Sequence, residues 1–377
     1  MRLLHICNDY TGSKVHVNLY NNLDKLGIEQ TVFAYYRGCD GNGKNYFESA
    51  NTNFIYKGIL KPYHRLFYYL KIKKVYDELL NSVDPRLFDV SHAVTLFSDG
   101  ALAYRLYKEY NVPYVVSVRN TDINTFLGVA PHTWPSGIKV LKHASKIVFI
   151  SKALMEKFKR HVVVRRILPE IQNKFVLQPN GIDNYWLDHQ DYEQRNNHHV
   201  IYVGRLDKNK NVVRLIRAVL RLTKEIPDIH LHLVGGDGAY ENTVCSFVEK
   251  YPQYLTYHGK IFNKSILRDL YAQCSVFAMA SFHETFGLVY IEALSQNLPV
   301  IYTKGQGIDG LFDDSVGIGV NARSIDEITQ AIIQIFTHPY SFSNTRVQFN
   351  QFRWSNIAAR YKSIYNEITN KDTNNNS

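Results

Sequence analysis

Residues 280–302 read Ala-Ser-Phe-His-Glu-Thr-Phe-Gly-Leu-Val-Tyr-Ile-Glu-Ala-Leu-Ser-Gln-Asn-Leu-Pro-Val-Ile-Tyr. An apolar run from Cys274 to Met279 leads into this stretch, a helical apolar pattern fills its middle, and a second apolar run closes it. The order is therefore strand, loop, helix, strand. In a parallel sheet the loop after a strand lies at the carboxyl end, where ligands bind. Gly287 lets the backbone amides that open the helix come close to an anion. Glu284 falls in the loop, and Glu292 lies about two turns into the helix. One carboxylate is thus set beside a reacting centre, and the other is set to accept hydrogen bonds from a diol such as a ribose.

Glu284 and Glu292, with Thr285-Phe286-Gly287, Ala293-Leu294 and Pro299-Val300-Ile301 around them, resemble the Glu-x7-Glu signature of the retaining glycosyltransferases of family 4. A bare pair of glutamates carries little information; the flanking residues supply it. The competing reading is an ordinary helix whose glutamates are solvated surface charge. The resemblance implies an α/β chain of the GT-B class, with two Rossmann-like domains facing across a cleft and a C-terminal helix crossing back to the first. Residues 1–183 would form the acceptor domain, 184–198 an exposed linker and 199–354 the nucleotide-sugar donor domain. Residues 355–370 would form the returning helix, and 371–377 a disordered polar tail.

The chain has 377 residues, 45% of them hydrophobic, enough for two domains of ordinary size. No run of uncharged apolar residues is long enough to span a membrane, and the opening Met-Arg-Leu-Leu-His-Ile-Cys-Asn is a strand pattern, too quickly polar for a signal peptide. A cytoplasmic protein is expected. Cys7, Cys39, Cys245 and Cys274 show no metal-site spacing and read as core thiols. The net charge of +10 calls for an anionic partner. It concentrates in 57–74, where Lys61, His64, Arg65, Lys71, Lys73 and Lys74 interleave with Tyr63, Phe67, Tyr68 and Tyr69, and in 139–166. Either segment suits the anionic inner face of a membrane, which would make the protein peripheral there. The other reading of both is a helix with a solvated charged face and an aromatic core face. No nucleic acid is expected.

Strand-like runs recur at Leu3 to Asn8, Gln30 to Tyr36, Asp89 to Val94, Tyr114 to Val118, Lys146 to Ile150 and Phe175 to Gln178. After the first comes Thr11-Gly12-Ser13, then a helical pattern of Val15, Leu19, Leu23 and Leu26 stopped by Gly27. By resemblance, Gly12 stands where relatives carry a glycine-rich turn against the donor phosphates, although here the glycine is single. Arg119-Asn120-Thr121-Asp122 occupies the place of a histidine that contacts the donor sugar in many relatives. Asn120 and Asp122 are the catalytic candidates there, and a loop with a helix-capping aspartate is the alternative.

The second domain opens with the strand His199 to Val203, then Gly204-Arg205-Leu206-Asp207-Lys208-Asn209-Lys210 and a helix with Val212, Leu215, Ile216 and Val219 on one face. Arg205 and Lys210 are placed to converge on one anion. The resemblance assigns them the donor diphosphate, together with the amides of Thr285, Phe286 and Gly287, and it assigns Glu292 the ribose. Lys260 and Ile261 would border the base, and Glu284 would lie beside the transferred sugar. Gly235-Gly236-Asp237-Gly238 suits either a phosphate loop or a tight connection, and Gly305 to Gly310 reads as a flexible turn. His198 and His199 are adjacent with no acid or cysteine at ligand spacing, so no metal site is expected.

The chain contains no Asp-x-Asp pair, as in the metal-independent class, so fixed cations would stabilise the leaving group without a cofactor. The expected partners are a nucleotide-diphosphate sugar, a UDP-sugar, and a glycan or lipid-linked acceptor of the kind met in capsular or exopolysaccharide assembly. The alternatives are a GT-B epimerase or phosphorylase, and a non-catalytic nucleotide or polyanion-binding module.

Overall fold

The computed structural model describes residues 1–38 and 40–375 and divides into two compact units. Unit 1 comprises Met1–Ile150, Leu154–Gly181 and the chain from Trp354 onward; unit 2 comprises Ser151–Ala153 and Ile182–Arg353.

Unit 1 is built on a seven-stranded parallel sheet. Its strands are β1 (Arg2–Cys7), β2 (Glu29–Arg37), β3 (Thr52–Leu60), β4 (Val90–Ala93), β5 (Tyr114–Val118), β6 (Lys146–Phe149) and β7 (Phe175–Leu177), in the order β3-β2-β1-β4-β5-β6-β7. The central strands β4 and β5 are buried along their whole length, as strands covered on both faces must be, with Ser91, His92 and Ser117 among their apolar residues. The order reverses between β1 and β4, so the loops after these strands open a crevice at the carboxyl edge. The helix Lys14–Lys25 starts from that crevice with Ser13 as its cap and buries Leu19, Tyr20 and Leu23.

The C-terminal helix Trp354–Asn375 belongs to unit 1, as expected from the sequence. Its Ile357, Ala358, Tyr361, Ile364, Tyr365 and Ile368 share one apolar cluster with Leu3, Leu19 and Leu23. The Tyr365 hydroxyl lies 2.8 Å from Nδ1 of the buried His92, whose Nε2 is 3.0 Å from the Ser117 hydroxyl. The helical backbone continues through Asn375, into the stretch read as a tail from residue 371; residues 376 and 377 lie outside the described residues.

Unit 2 carries a six-stranded parallel sheet of β8 (His199–Val203), β9 (His230–Val234), β10 (Leu255–Tyr257), β11 (Val276–Ala278), β12 (Val300–Thr303) and β13 (Gly317–Val320), ordered β10-β9-β8-β11-β12-β13. Here the order reverses between β8 and β11. The helix Val212–Leu222 buries Val212, Leu215, Ile216 and Val219 as the pattern requires.

Residues 184–198, read as an exposed linker, are part of unit 2. A short helix, Asn184–Asp188, buries Trp186 against Tyr271, and the polar residues after it bond to backbone groups of the unit: Asp191 N–H to Ser295, Arg195 to Gln296 and Asn197 to Gln273. The polar composition serves these bonds, which a reading by hydropathy takes for exposure. His198 pairs with Asp228 at 2.8 Å, while His199, His232 and His258 form a chain of rings with nitrogens 3.1 Å apart at each step. Cys7 and Cys274 are buried free thiols, Cys245 is a partly exposed one, and Cys39 lies outside the described residues.

Two substitutions in unit 1 test the role of the last helix by urea denaturation. Ile357→Ala is expected to cost about 2–5 kcal/mol by leaving a cavity. Tyr365→Phe is expected to cost about 1–3 kcal/mol by leaving His92 Nδ1 buried without its partner. Unchanged midpoints in both would contradict this packing.

Candidate functional site

The reversal of strand order in unit 2 places the loop after β8, residues 204–211, beside the loop after β11, residues 279–287. Two asparagines bind these loops together. Asn209 donates from its side chain to the His283 carbonyl at 2.9 Å and accepts from the His283 amide at 3.0 Å, and its carbonyl accepts from Phe282 at 2.8 Å. Asn211, with a left-handed φ of 62°, is buried and donates to the carbonyls of Ala280 and Ala322 at 2.9 and 2.7 Å.

Across this seam Lys210 Nζ meets Glu284 Oε2 at 2.5 Å, with both side chains mostly covered. The other carboxylate oxygen accepts from the Thr285 amide at 3.2 Å. Lys210 is held from behind by its amide, which donates to Asp207 at 2.9 Å. Residues 305–310, read as a plain turn, cradle Glu284. Gln306 accepts from its amide at 3.2 Å, and the Gly307 amide donates to its carbonyl at 3.0 Å. A Cβ at Gly307, whose φ is +55°, would stand 2.9 Å from Glu284 Cγ, so only glycine fits.

The helix after the loop is Leu288–Ser295, capped by Gly287 at φ 79°. A Cβ there would lie 2.5 Å from the Tyr290 ring. The helix begins later than the sequence pattern suggests, and Glu292 sits about one turn inside it. The amides of Phe286, Gly287 and Leu288 donate to no other described residue, which leaves positive ends pointing out of the helix start.

Glu292 has a different set of neighbours. Burial, reinforced by the Asp183 carboxylate and opposed by Lys264, pushes its carboxyl up to about 7. Its carboxylate forms no hydrogen bond or ion pair with another described residue, while Lys264 pairs with Asp183. Arg205 and Lys260 gather instead at the turn after β9. Arg205 donates to the Asp237 carbonyl at 3.3 Å, and Lys260 Nζ meets the Asp237 carboxylate at 2.5 Å. Ile261 follows Lys260, partly exposed. The Asp237 turn, left open in the sequence, thus anchors two of the expected cations.

Gly12, Asn120 and Asp122 lie in unit 1. Gly12 sits in the loop after β1, its amide 3.1 Å from the Asp9 carbonyl, and Asn45 pins that loop through the carbonyls of Tyr10 and Ser13. Asn120 is partly exposed at the end of β5. Asp122, a catalytic candidate from the sequence, is fully buried, and its carboxylate accepts from the amides of Leu96, Phe97 and Arg119 at 3.1, 3.2 and 2.8 Å. It ties two loops together, and burial still pushes it up to about 6 despite those bonds. Arg119 beside it donates to the Val94 carbonyl at 3.2 Å.

The sequence of residues 186–352 matches the family described as glycosyl transferases group 1, and residues 11–186 match glycosyltransferase family 4. An uncharacterised glycosyltransferase of Methanocaldococcus jannaschii is 24% identical over 283 residues, 67% of this chain and 69% of that protein. The putative teichuronic acid biosynthesis glycosyltransferase TuaC of Bacillus subtilis is 24% identical over 253 residues, 65% of this chain and 60% of its own length. The chain therefore spans about three fifths to two thirds of these curated relatives. Among solved structures, sucrose-phosphate synthase from Thermosynechococcus elongatus superposes with a TM-score of 0.71 at 20% identity, covering 98% of this chain and 99% of that one. Anabaena HepE in complex with UDP and glucose gives 0.66 at 16% identity, covering 97% and 99%. These likenesses give the fold as GT-B, and with two family matches that together run from residue 11 to residue 352, the chain belongs to the family 4 and group 1 glycosyltransferases.

Proposed function

We propose that the protein is a retaining glycosyltransferase that takes a sugar from a nucleotide-diphosphate sugar, a UDP-sugar, and transfers it without a metal ion to a glycan or lipid-linked acceptor of a cell-surface polysaccharide. The observation that carries this reading is the Lys210–Glu284 pair at the strand reversal of unit 2, next to the unpaired amides of Phe286, Gly287 and Leu288. The donor diphosphate would take the place at those amides and Lys210, with Arg205 adding charge, so that the leaving group develops its charge against fixed donors. Displacing the Lys210 ammonium toward the phosphates frees Glu284 to orient the hydroxyls of the sugar or to stabilise an oxocarbenium-like centre. Glu292, whose carboxylate has no partner among the described residues, suits the ribose diol. Transfer then proceeds on one face of the sugar, the departing phosphate taking the acceptor's proton.

The basic segments divide. Around 57–74 the structure exposes Tyr63, Leu66, Phe67, Tyr69 and Leu70, each more than half accessible, next to Lys61, Arg65 and Lys74. Segment 139–166 turns its apolar side chains inward and exposes only Val162 among its large ones. Apolar side chains among cations fit an anionic lipid surface, so 57–74 alone is proposed to meet the membrane. Among the described residues, no helix is long and apolar enough to cross a membrane.

Glu284→Ala is expected to lower transfer and donor hydrolysis by about 10²–10³-fold with circular dichroism unchanged; wild-type turnover would contradict the mechanism. Glu292→Gln should weaken nucleotide binding about ten-fold while raising the melting temperature at pH 8, since a carboxyl raised to about 7 must be buried charged there. That gain in stability should shrink as pH falls from 7 toward the unfolded value; an equal gain at pH 8 and pH 4.5 would refute it. In sedimentation with vesicles, Leu66→Glu with Phe67→Glu should abolish binding to anionic but not affect neutral liposomes, and equal wild-type binding to both would remove the membrane reading.

A further inference from the structure

Beside the seam of the two loops, unit 2 holds a concavity of about 750 Å³. Lys208, Arg214, Phe282, Lys304, Asn321 and Arg323 line it, from the loops after β8, β11, β12 and β13 and the helix Val212–Leu222. Neither Lys210 nor Glu284 is in its wall.

Its charge is lopsided. Lys304 is tethered to Glu327 at 3.5 Å, but Lys208 and Arg323 form no ion pair with any described residue. Arg214 is held over the Phe282 ring, 5.2 Å from its centre, and donates to Asn211 at 3.1 Å. That guanidinium is immobilised before any ligand arrives, so little rotamer freedom remains to be lost on binding. The floor is apolar, made by Phe282 and the buried Ala322, and a volume of this size matches a small-molecule site. Four cations around an apolar-floored hollow, Arg214 half-buried and Lys208, Lys304 and Arg323 exposed at its rim, call for a ligand with an anionic group and a compact body.

We infer that this hollow is a binding site for a small phosphate ester, such as a sugar phosphate, distinct from the donor position. The phosphate meets Lys208 and Arg323, which have no other anion to satisfy them, and the body rests on Phe282 beside Arg214. The site is wired to the Lys210–Glu284 seam. Asn209 lines the hollow and at the same time holds the carbonyl and amide of His283, the residue before Glu284.

The test is thermal stabilisation by glucose 6-phosphate in wild type, in Lys208→Ala/Arg323→Ala and in Lys210→Ala, each repeated with UDP. Saturable stabilisation by glucose 6-phosphate is expected in wild type and in Lys210→Ala, with at least ten-fold weaker binding in the double variant. The double variant should still respond to UDP, since none of its changed residues belongs to the donor position. Absence of saturable stabilisation in wild type overturns the inference, and so does equal affinity in the double variant. Loss of glucose 6-phosphate binding in Lys210→Ala alone would place the ligand at the donor position and also overturn it. Failure of UDP to bind wild type would instead count against the donor reading, so the two failures are distinguishable.

Discussion

Lys210 and Glu284 are 74 residues apart in sequence and share a proton-bearing contact at 2.5 Å only because the order of strands in unit 2 reverses between β8 and β11. An ion pair so largely withdrawn from water loses hydration on both sides, and the loss is recovered only where geometry and further hydrogen bonds hold each partner. Here they do. Asp207 fixes the amide of Lys210, Thr285 serves the second oxygen of Glu284, and Gln306 with Gly307 hold the backbone of Glu284 from the far side. The seam asparagines, Asn209 and Asn211, then keep the two loops at one spacing. In the proposed function such a pair is a store of charge: a diphosphate taking the ammonium would release a carboxylate where the sugar is proposed to lie.

Unit 1 uses the same device for a different end. Between the loops after β4 and β5, the buried carboxylate of Asp122 collects three backbone amides and so fixes the start of the helix Ser98–Tyr110 relative to the end of β5. A carboxylate buried and engaged in this way holds the loops after β4 and β5 together, and with them the backbone of Arg119. The C-terminal helix closes the opposite requirement, covering the sheet with Tyr361 and Tyr365 and giving His92 its hydrogen-bond partner.

Most of the architecture was legible because the central strands are mainly apolar and their helices keep a strict period, as β1, β5 and the helix Val212–Leu222 do. Strand β3 escaped notice: it lies at the sheet edge, is only partly buried and carries Lys57, so neither alternation nor continuity marks it. Strand β13, Gly317–Val320, is short and glycine-rich and escaped for that reason. Of the site, the glutamates and cations were visible as residue types at a recognisable spacing. Asn209, Asn211, Gln306 and Asp237 were not, since their work is done through contacts with backbone groups distant in sequence. The amide partners of Asp122 were hidden for a related reason: a polar residue after a strand looks the same whether it faces a ligand or buried amides.

The central claim is that fixed cations at the strand reversal of unit 2 hold the diphosphate of a nucleotide. Calorimetric titration of UDP into wild type and into Lys210→Ala tests it most directly. The account predicts binding by wild type that weakens with added salt, and at least about ten-fold weaker binding by the variant. Equal affinity in the two proteins would contradict it.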